Sequence, residues 1–458
     1  MTSPAERRRR GRAARSRASR TAHGRWIPAA DRPDPIRLLE QQAEDRLADL
    51  RPIRYGRMAD SAFAFLRGSA AVMTADLAAV PDTGLTVQLC GDAHLLNFGV
   101  YASPERALLF DVNDFDETYP GPFEWDVKRL AASVAVAARD NGHDEDRVHR
   151  AALAAAHGYA VAMRRLAEMG ELDVWYARID TADLPAMLRK GGRRRRQVEA
   201  NLDKARRRTS LQAFGKLTER GEDGRSRIIS DPPLIEPVPR DELRRVGKIY
   251  SDYRATLAED RRVLLDRFQL VDVARKVVGV GSVGTRCFIL LLEGRDERDP
   301  LFLQIKEAGR SVLEDYLPDN PPEGRPLSEA PVAHGGRRVV TGQHLMQAAS
   351  DIFLGWTTGP AGRHFYGRQL RDMKGSADVA DMAPSDLRAY ADLCGRTLAR
   401  AHARSGDRLA VAGYLGSADT FPEAVADFAV QYADQTIADH AALLTAIDDG
   451  TVAAQKGI

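Results

Sequence analysis

Cysteine is scarce in this chain, with three residues among 458. Cys90, Cys287 and Cys394 lie far apart and lack the spacing of a zinc site or a disulfide framework. Long apolar runs are missing too, since no stretch reaches the roughly 18 uninterrupted apolar residues of a membrane-spanning helix. These absences favour a cytoplasmic protein that makes no contact with a membrane.

An excess of one charge is also missing, because 67 Lys and Arg face 65 Asp and Glu. The basic residues are instead concentrated in two tracts, at 7–25 and 189–208. The first lies in a basic arm, residues 1–30, whose few apolar residues predict disorder. Its consecutive arginines are not followed by an apolar segment, so an export signal is not expected. Nucleic acid is an expected partner only through this arm.

The apolar pattern predicts an α+β protein whose helices flank a β-rich middle. Residues 31–265 read as helices and loops, interrupted by short strands in LTVQLCGD and RALLFDVND. Residues 266–350 contain short Val, Ile, Leu and Phe runs broken by Gly and charged turns, which is typical of antiparallel strands. We expect a further strand in RRVVTGQHLMQA and helices over 351–458.

A glycine-rich motif, GVGSVG, lies in the β-rich middle with Gly279, Gly281, Ser282 and Gly284. A dinucleotide-binding unit would continue into a helix, whereas a β-type run follows here. The better match is a glycine-rich hairpin over nucleotide phosphates, with Lys306 on the later strand LFLQIKEA. An ordinary hairpin turn and a solvent-exposed lysine are the structural alternatives.

Polar residues with the spacing of a phosphoryl-transfer site occur in CGDAHLLNFG and FDVNDFDE. Asp92 would orient an acceptor hydroxyl, and Asn97, five residues later, would bind Mg²⁺. Asp114 follows a strand and would supply a second metal ligand, because Mg²⁺ prefers oxygen donors. His94 is predicted to brace the loop. The alternative is an acidic surface loop without a catalytic role.

The run from GDAHLLNFG to FDVNDFDETYPGPFEWDVKRLA resembles the catalytic core of aminoglycoside phosphotransferases and choline kinases. The resemblance implies a protein-kinase-like fold, ATP and Mg²⁺ as cofactors, Asp92 as the catalytic residue, and Asn97 and Asp114 as metal ligands. It makes Asp116 a candidate accessory ligand and implies that Asp126 anchors the catalytic loop from the next helix.

One departure from those kinases is the order of the motifs, because Gly279 and Lys306 follow Asp92 in this chain. A circular permutation would reconcile the two orders. The helix LCGRTLARAHARSG resembles the helix that leads into the catalytic loop of such kinases. We therefore expect a two-lobed, circularly permuted kinase-like fold with a mostly helical large lobe and a small antiparallel β lobe. Glu314 is the expected ion-pair partner of Lys306, with Glu307 as an alternative.

Over nearly its whole length after the arm, the chain resembles domain-of-unknown-function family 2252, a bacterial family with no settled activity. The stretches that carry this resemblance include IRYGRMADSAFAFLRG, NDFDETYPGPFEWD, GQHLMQAASDIFLGW and CGRTLARAHARSGD.

The expected activity is ATP-dependent phosphoryl transfer to an unidentified hydroxyl on a small molecule or a protein. Arg368, Gln369, Arg371 and Lys374 are candidates for recognising an anionic acceptor, although a solvated basic strand explains them equally well. Nucleotidyl transfer and a non-catalytic kinase-like scaffold are alternatives. A metal-dependent phosphoesterase is less expected, because such sites recruit several histidines and the 10 in this chain are not clustered.

Overall fold

The computed structural model describes residues 2–182, 193–221, 224–317, 334–370 and 373–458. The first element, helix α1, corrects the expectation of a disordered arm. It spans Pro4–Ala13 and begins at a capping box formed by Ser3 and Glu6. Gly11 packs so closely on Ala410 that a Cβ would collide with the Ala410 carbonyl oxygen. Composition could not reveal the order of α1, because its buried residue is Gly11 and its arginines form ion pairs with Asp407 and Glu168.

Four short helices follow the arm, as the sequence predicts. We call residues 35–78 the helical cap; it contains α2 Pro35–Ala43, α3 Arg51–Met58, α4 Ala62–Gly68 and α5 Ala70–Ala78. The side chains of Asp34 and Ser61 accept hydrogen bonds from backbone N–H groups at the starts of α2 and α4.

Two antiparallel strand pairs come next and hold the polar motifs in the loops at their ends. These strands are β1 Thr86–Leu89, β2 Phe98–Ala102, β3 Leu108–Val112 and β4 Tyr119–Pro122. β1 pairs with β4, and β2 pairs with β3. The loop 90–97 and the loop 113–118 lie side by side, because Asn113 N–H donates to the Asn97 carbonyl at 2.8 Å.

The main apolar core lies in a bundle of helices from both ends of the chain. Its members are α6 Phe123–Asp140, α7 Glu145–Leu166, α14 Pro384–Ser405, α15 Arg408–Leu415 and α16 Thr420–Asp448. Many of the fully buried core positions on α6 and α7 are alanines, which allow helices to pack closely. No helix in the described ranges is both long enough and apolar enough to cross a bilayer.

The middle of the chain contains more β structure than expected. Its elements are α8 Glu171–Tyr176, α9 Arg193–Arg206, α10 Ser210–Leu217, β5 Thr218–Arg220, β6 Ser226–Ile228, β7 Ile235–Pro237, α11 Arg240–Ala255 and α12 Glu259–Leu265.

The largest sheet has six antiparallel strands in the order β11-β12-β10-β9-β8-β7. Its remaining strands are β8 Gln269–Lys276, β9 Cys287–Glu293, β10 Pro300–Glu307, β11 Gly355–Thr358 and β12 His364–Gln369. The sheet therefore extends beyond the predicted limits of 266 and 350 on both sides. A final short strand, β13 Gly375–Ser376, pairs with β2.

One predicted strand is wrong, because RRVVTGQHLMQA belongs to helix α13, Gly335–Met346. Its buried residues include Val339, Gln343 and Met346, which recur at the three- or four-residue spacing of a helix face. The adjacent valines favoured a strand, but burial along one helix face outweighs that local preference.

Candidate functional site

A cleft of about 560 Å³ opens where the two polar loops, 90–97 and 113–118, meet the helical cap and the glycine-rich segment 277–286. Its volume is typical of sites that bind small molecules and cofactors, roughly 300–1,000 Å³. The structure brings most of the sequence-predicted site residues to its lining: Asp92, His94, Asn97, Asp114, Asp116, Gly279, Gly281 and Ser282. Gly284, Lys306 and Glu314 are not among the lining residues, although Lys306 contacts two residues that are, Asp116 and Ser282.

The loop 90–97 is anchored from helix α6. The backbone N–H groups of Cys90 and Gly91 donate to the Asp126 carboxylate at 2.8 and 3.1 Å. His402 of α14 lies against the same carboxylate, with 3.1 Å between Nε2 and Oδ2. Gly91 has a φ of +84°, and a Cβ there would collide with the Glu117 carbonyl. Asp126 thus makes the anchoring contact that the resemblance implied.

Asp92 is held by an arginine that the sequence interpretation missed. Arg129 Nε donates to Asp92 Oδ1 at 2.8 Å, and the Asp92 side chain is 17% exposed. Burial raises the pKa of Asp92, and Arg129 opposes that rise. Arg129 lies three residues after Asp126, so the two share a helix face. That spacing was the signal by which Arg129 could have been found.

His94 braces the loop in its neutral form. Its Nδ1 accepts a hydrogen bond from Leu96 N–H, so Nε2 carries the ring proton. Nε2 lies 3.7 Å from Asp92 Oδ2. Burial and the nearby Arg67 and Arg129 hold the pKa of His94 well below its usual range. This arrangement supports the predicted bracing role.

The acidic loop 113–118 meets the large sheet at Asp116. Lys306 Nζ forms an ion pair with Asp116 and donates to Ser282 Oγ at 2.5 Å. Ser282 Oγ donates to Asp116 at 3.1 Å, and the Tyr366 hydroxyl donates to its other oxygen at 2.8 Å. Burial raises the pKa of Asp116, but Lys306 outweighs it and the pKa lies below its usual range.

Neither glutamate expected to pair with Lys306 does so. Glu314 lies in the turns after β10 and pairs with Arg310 and Arg338 at 3.3 and 3.4 Å. Glu307, the next residue on the strand, pairs with Arg286 and Arg363 instead. Successive strand residues face opposite sides of a sheet, so Glu307 cannot share the direction of Lys306. The acidic loop supplies the partner.

The carboxylate of Asp114 is a candidate metal ligand, because it is partly buried beside a second carboxylate. No described Lys or Arg forms an ion pair with it, and burial together with the adjacent Asp116 raises its pKa. Asn97 donates through Nδ2 to the Asp92 carbonyl at 2.5 Å, which leaves its Oδ1 as the atom for a cation. These oxygen donors fit Mg²⁺.

A dedicated protein cage for a metal is absent from the described ranges, where no three His, Cys, Asp or Glu side chains converge on one point. Mg²⁺ sites that share the ion with substrate phosphates use one or two carboxylates, and water completes the shell. The two aspartates of the loop with the Asn97 amide match that pattern.

The glycine-rich segment between β8 and β9, residues 277–286, is fixed by hydrogen bonds from the helical cap. Arg57 and Arg46 each donate to one of its carbonyls at 2.5 Å, those of Gly279 and Val283. Leu47 N–H donates to the carbonyl of Gly284 at 2.8 Å. The sequence predicted the helices of the cap but not these contacts, because they join residues more than two hundred positions apart.

The basic stretch 368–374, which we considered for acceptor binding, lies beside the cleft. None of its described residues is among the lining residues. Arg368 donates to the Asn113 carbonyl at 3.1 Å, and Gln369 bonds to Asp351. Burial and Arg368 lower the pKa of Lys374 to about 7. Arg371 lies outside the described residues.

Comparison with known proteins identifies a family but no individual relative. No curated protein and no solved structure matches the chain. A family model described as an uncharacterized protein conserved in bacteria matches residues 46–446. The matched range contains both polar loops, the glycine-rich segment and Lys306. The chain therefore belongs to domain-of-unknown-function family 2252.

Proposed function

We propose that this protein is an ATP-dependent, Mg²⁺-requiring phosphotransferase with a circularly permuted protein-kinase-like fold, acting on a hydroxyl acceptor. The observation that carries the proposal is the ion pair between Lys306, on strand β10 of the largest sheet, and Asp116, in the loop that also contains Asp114. Asp92 lines the same cleft. Phosphoryl transfer requires a phosphate-binding lysine, metal ligands and a hydroxyl-orienting carboxylate in one place.

The end of α14 supports the permutation. The Gln88 N–H, on the strand that leads into the Asp92 loop, donates to Ser405 Oγ at 3.1 Å, although 317 positions separate them. A Cβ on Gly406 would come within 2.5 Å of Val87 Cγ1. Helix and strand are thus close enough to be consecutive in an unpermuted chain.

Helix α13 also supports a kinase-like fold, although it contacts the loop that pairs with Lys306 and not Lys306 itself. It follows the lysine strand and precedes β11 and β12, which is where a kinase-like fold carries the helix that sets the lysine position. Arg338 of α13 donates to the carbonyls of Asp116 and Thr118 at 2.9 and 2.8 Å. The helix therefore positions Lys306 indirectly, by holding the loop that pairs with it.

Asp92 is the residue suited to accept the acceptor proton. Arg129 donates to Oδ1 and fixes the carboxylate, Oδ2 is 3.7 Å from His94 Nε2, and Asp92 lines the cleft. A raised pKa brings a carboxylate closer to the range where general-base catalysis is efficient. Lys306 would neutralise phosphate oxygens, and Mg²⁺, when bound by Asn97, Asp114 and Asp116, supplies further charge neutralisation.

A thermal-shift screen with ATP and GTP, each with and without Mg²⁺, tests the proposal. A nucleotide that binds the folded state raises Tm by mass action. We expect a Mg²⁺-dependent rise with at least one nucleotide. Incubation with γ-labelled or α-labelled ATP then separates phosphoryl from nucleotidyl transfer, because only the transferred group stays on the protein or acceptor. If neither nucleotide shifts Tm with Mg²⁺, the proposed function is wrong.

A further inference from the structure

The helical cap brings two arginines to the cleft, and neither uses all of its N–H donors within the protein. Arg67 lies in the last turn of α4 and lines the cleft. Its Nε is buried without a partner, and no described residue forms a hydrogen bond or ion pair with its side chain. The pKa of Arg67 is lowered by burial, which Asp92 partly offsets.

Arg46 lies on the same wall with part of its donors engaged. Nη1 donates to the Val283 carbonyl at 2.5 Å, whereas Nε is buried without a partner. Burial and the neighbouring Arg54 lower the pKa of Arg46 to about 9, so it stays charged at neutral pH. The cleft wall therefore carries two cations that few protein groups compensate.

An uncompensated, partly buried guanidinium destabilises a fold, so its retention points to an anion that binds there. Asp92 offsets only part of that charge, because its Oδ1 accepts from Arg129 and none of its described contacts is an ion pair with Arg67. The backbone of Arg67 lies against the glycine-rich segment, because a Cβ on Gly281 would be 3.1 Å from the Arg67 carbonyl oxygen. The two cap arginines line the cleft directly, whereas Lys306, on the sheet, contacts the lining residues Asp116 and Ser282.

We propose that Arg46 and Arg67 form a subsite for the terminal phosphate of a polyphosphate chain. The guanidinium fork matches two phosphate oxygens at once, which a lysine cannot do. The proposal rests on the proposed function in naming a nucleoside triphosphate as the source of that chain. The cap would then clamp the phosphate closest to Asp92, opposite Lys306.

The test uses the full chain and two probes, inorganic tripolyphosphate alone and Mg²⁺ with ATP or ADP, measured by calorimetry. Arg67→Gln is expected to weaken tripolyphosphate and ATP binding about 10- to 100-fold, and ADP binding much less. Arg67→Lys is expected to recover part of the loss. Arg37→Gln is the matched control, since Arg37 is an exposed arginine of the same cap that does not line the cleft. Without ligand, Arg67→Gln should leave Tm unchanged or raise it.

The outcomes separate this subsite from the proposed function. If Arg67→Gln binds tripolyphosphate and ATP as tightly as the unmodified protein, the subsite is wrong even though nucleotide binding stands. If tripolyphosphate binding depends on Arg67 but no nucleotide binds, the subsite stands and the proposed function fails. If the unmodified protein binds neither probe, or Arg37→Gln weakens binding equally, the subsite is wrong.

Discussion

Lys306 and Asp116 form an ion pair across 190 positions of sequence and join strand β10 to the acidic loop. The side chain of Lys306 is 5% exposed and that of Asp116 is 25% exposed. Ser282 and Tyr366 bond to the same carboxylate, so the glycine-rich segment and β12 share this junction. Both phosphate binding and metal binding in the proposed reaction would depend on this one contact.

Loss of either partner should destabilise the fold measurably. Lys306→Ala leaves Asp116 without its cation, and Asp116→Ala leaves a buried ammonium, so each should cost about 1–3 kcal/mol after allowance for the exposure of Asp116. Urea denaturation of both single variants and the double variant measures the coupling. If the two single losses simply add in the double variant, the pair contributes no coupling and the junction is not what joins the two elements.

Asp92 and Asp114 should fail in different ways when changed to Asn. Asp92→Asn should keep Mg-ATP affinity and lose about 10²- to 10⁴-fold in turnover, since general-base contributions have that size. Asp114→Asn should weaken Mg²⁺-dependent nucleotide binding together with turnover, because it removes a metal ligand. Calorimetry with Mg-ATP and release of labelled phosphate measure the two effects.

Asp45→Asn is the control for that pair, because Asp45 lines the cleft but has no assigned role. It should leave affinity and turnover close to those of the unmodified protein. Loss of nucleotide binding in Asp92→Asn with retention in Asp114→Asn would reverse the two assigned roles.

The sequence was informative where chemistry requires a fixed spacing after a strand. Asp92 and Asn97 fall in one loop and Asp114 in the next, and paired strands bring both loops to one cleft. Helix α13 was missed because Val339 and Val340 favour a strand locally, whereas the tertiary packing of one face decides for a helix. The Lys306 partner was sought nearby in sequence and came from 190 positions away.

The contacts of the helical cap could not be predicted from the spacing of residues in the sequence. Arg46, Arg57 and Arg67 look like ordinary surface arginines until the fold places the glycine-rich segment beside them. A local pattern contains no information about such long-range contacts.

Burial of His23 should make stability depend on pH below neutrality. The ring is 2% exposed, its Nε2 lies 2.7 Å from the Tyr414 hydroxyl, and Phe421 packs edge-on against it. Burial and Lys128 lower the pKa of His23 to about 3. The unfolded chain binds its proton near pH 6.5, so stability is complete above that pH and is lost progressively toward pH 3.

Between pH 7 and 5 this residue alone should account for a loss of about 2 kcal/mol. Urea denaturation at both pH values measures it, with His23→Gln as the comparison, because other histidines also titrate. His23→Gln should be less stable at pH 7 but should lose less between pH 7 and 5. An equal loss in both proteins would mean that His23 is not the group responsible.

Asp407 should control whether the arginine-rich arm stays docked. Its Oδ1 accepts from the N–H groups of Leu409 and Ala410 at 3.1 Å each and so caps helix α15. The same carboxylate receives Arg7 at 2.9 Å and Arg10 at 2.6 Å from helix α1. One side chain therefore stabilises a helix start and holds the arm.

Two substitutions separate these roles. Asp407→Ser keeps a capping oxygen but removes the charge, so Tm should change little while α1 becomes easier to detach. Asp407→Ala loses the cap as well and should cost about 1 kcal/mol in addition. Hydrogen exchange of the α1 amides and the rate of trypsin cleavage at its arginines report docking. Because Gly11 also packs against α15 and Arg8 pairs with Glu168, unchanged protection in Asp407→Ser would show that these other contacts hold the arm and that the two ion pairs to Asp407 contribute nothing.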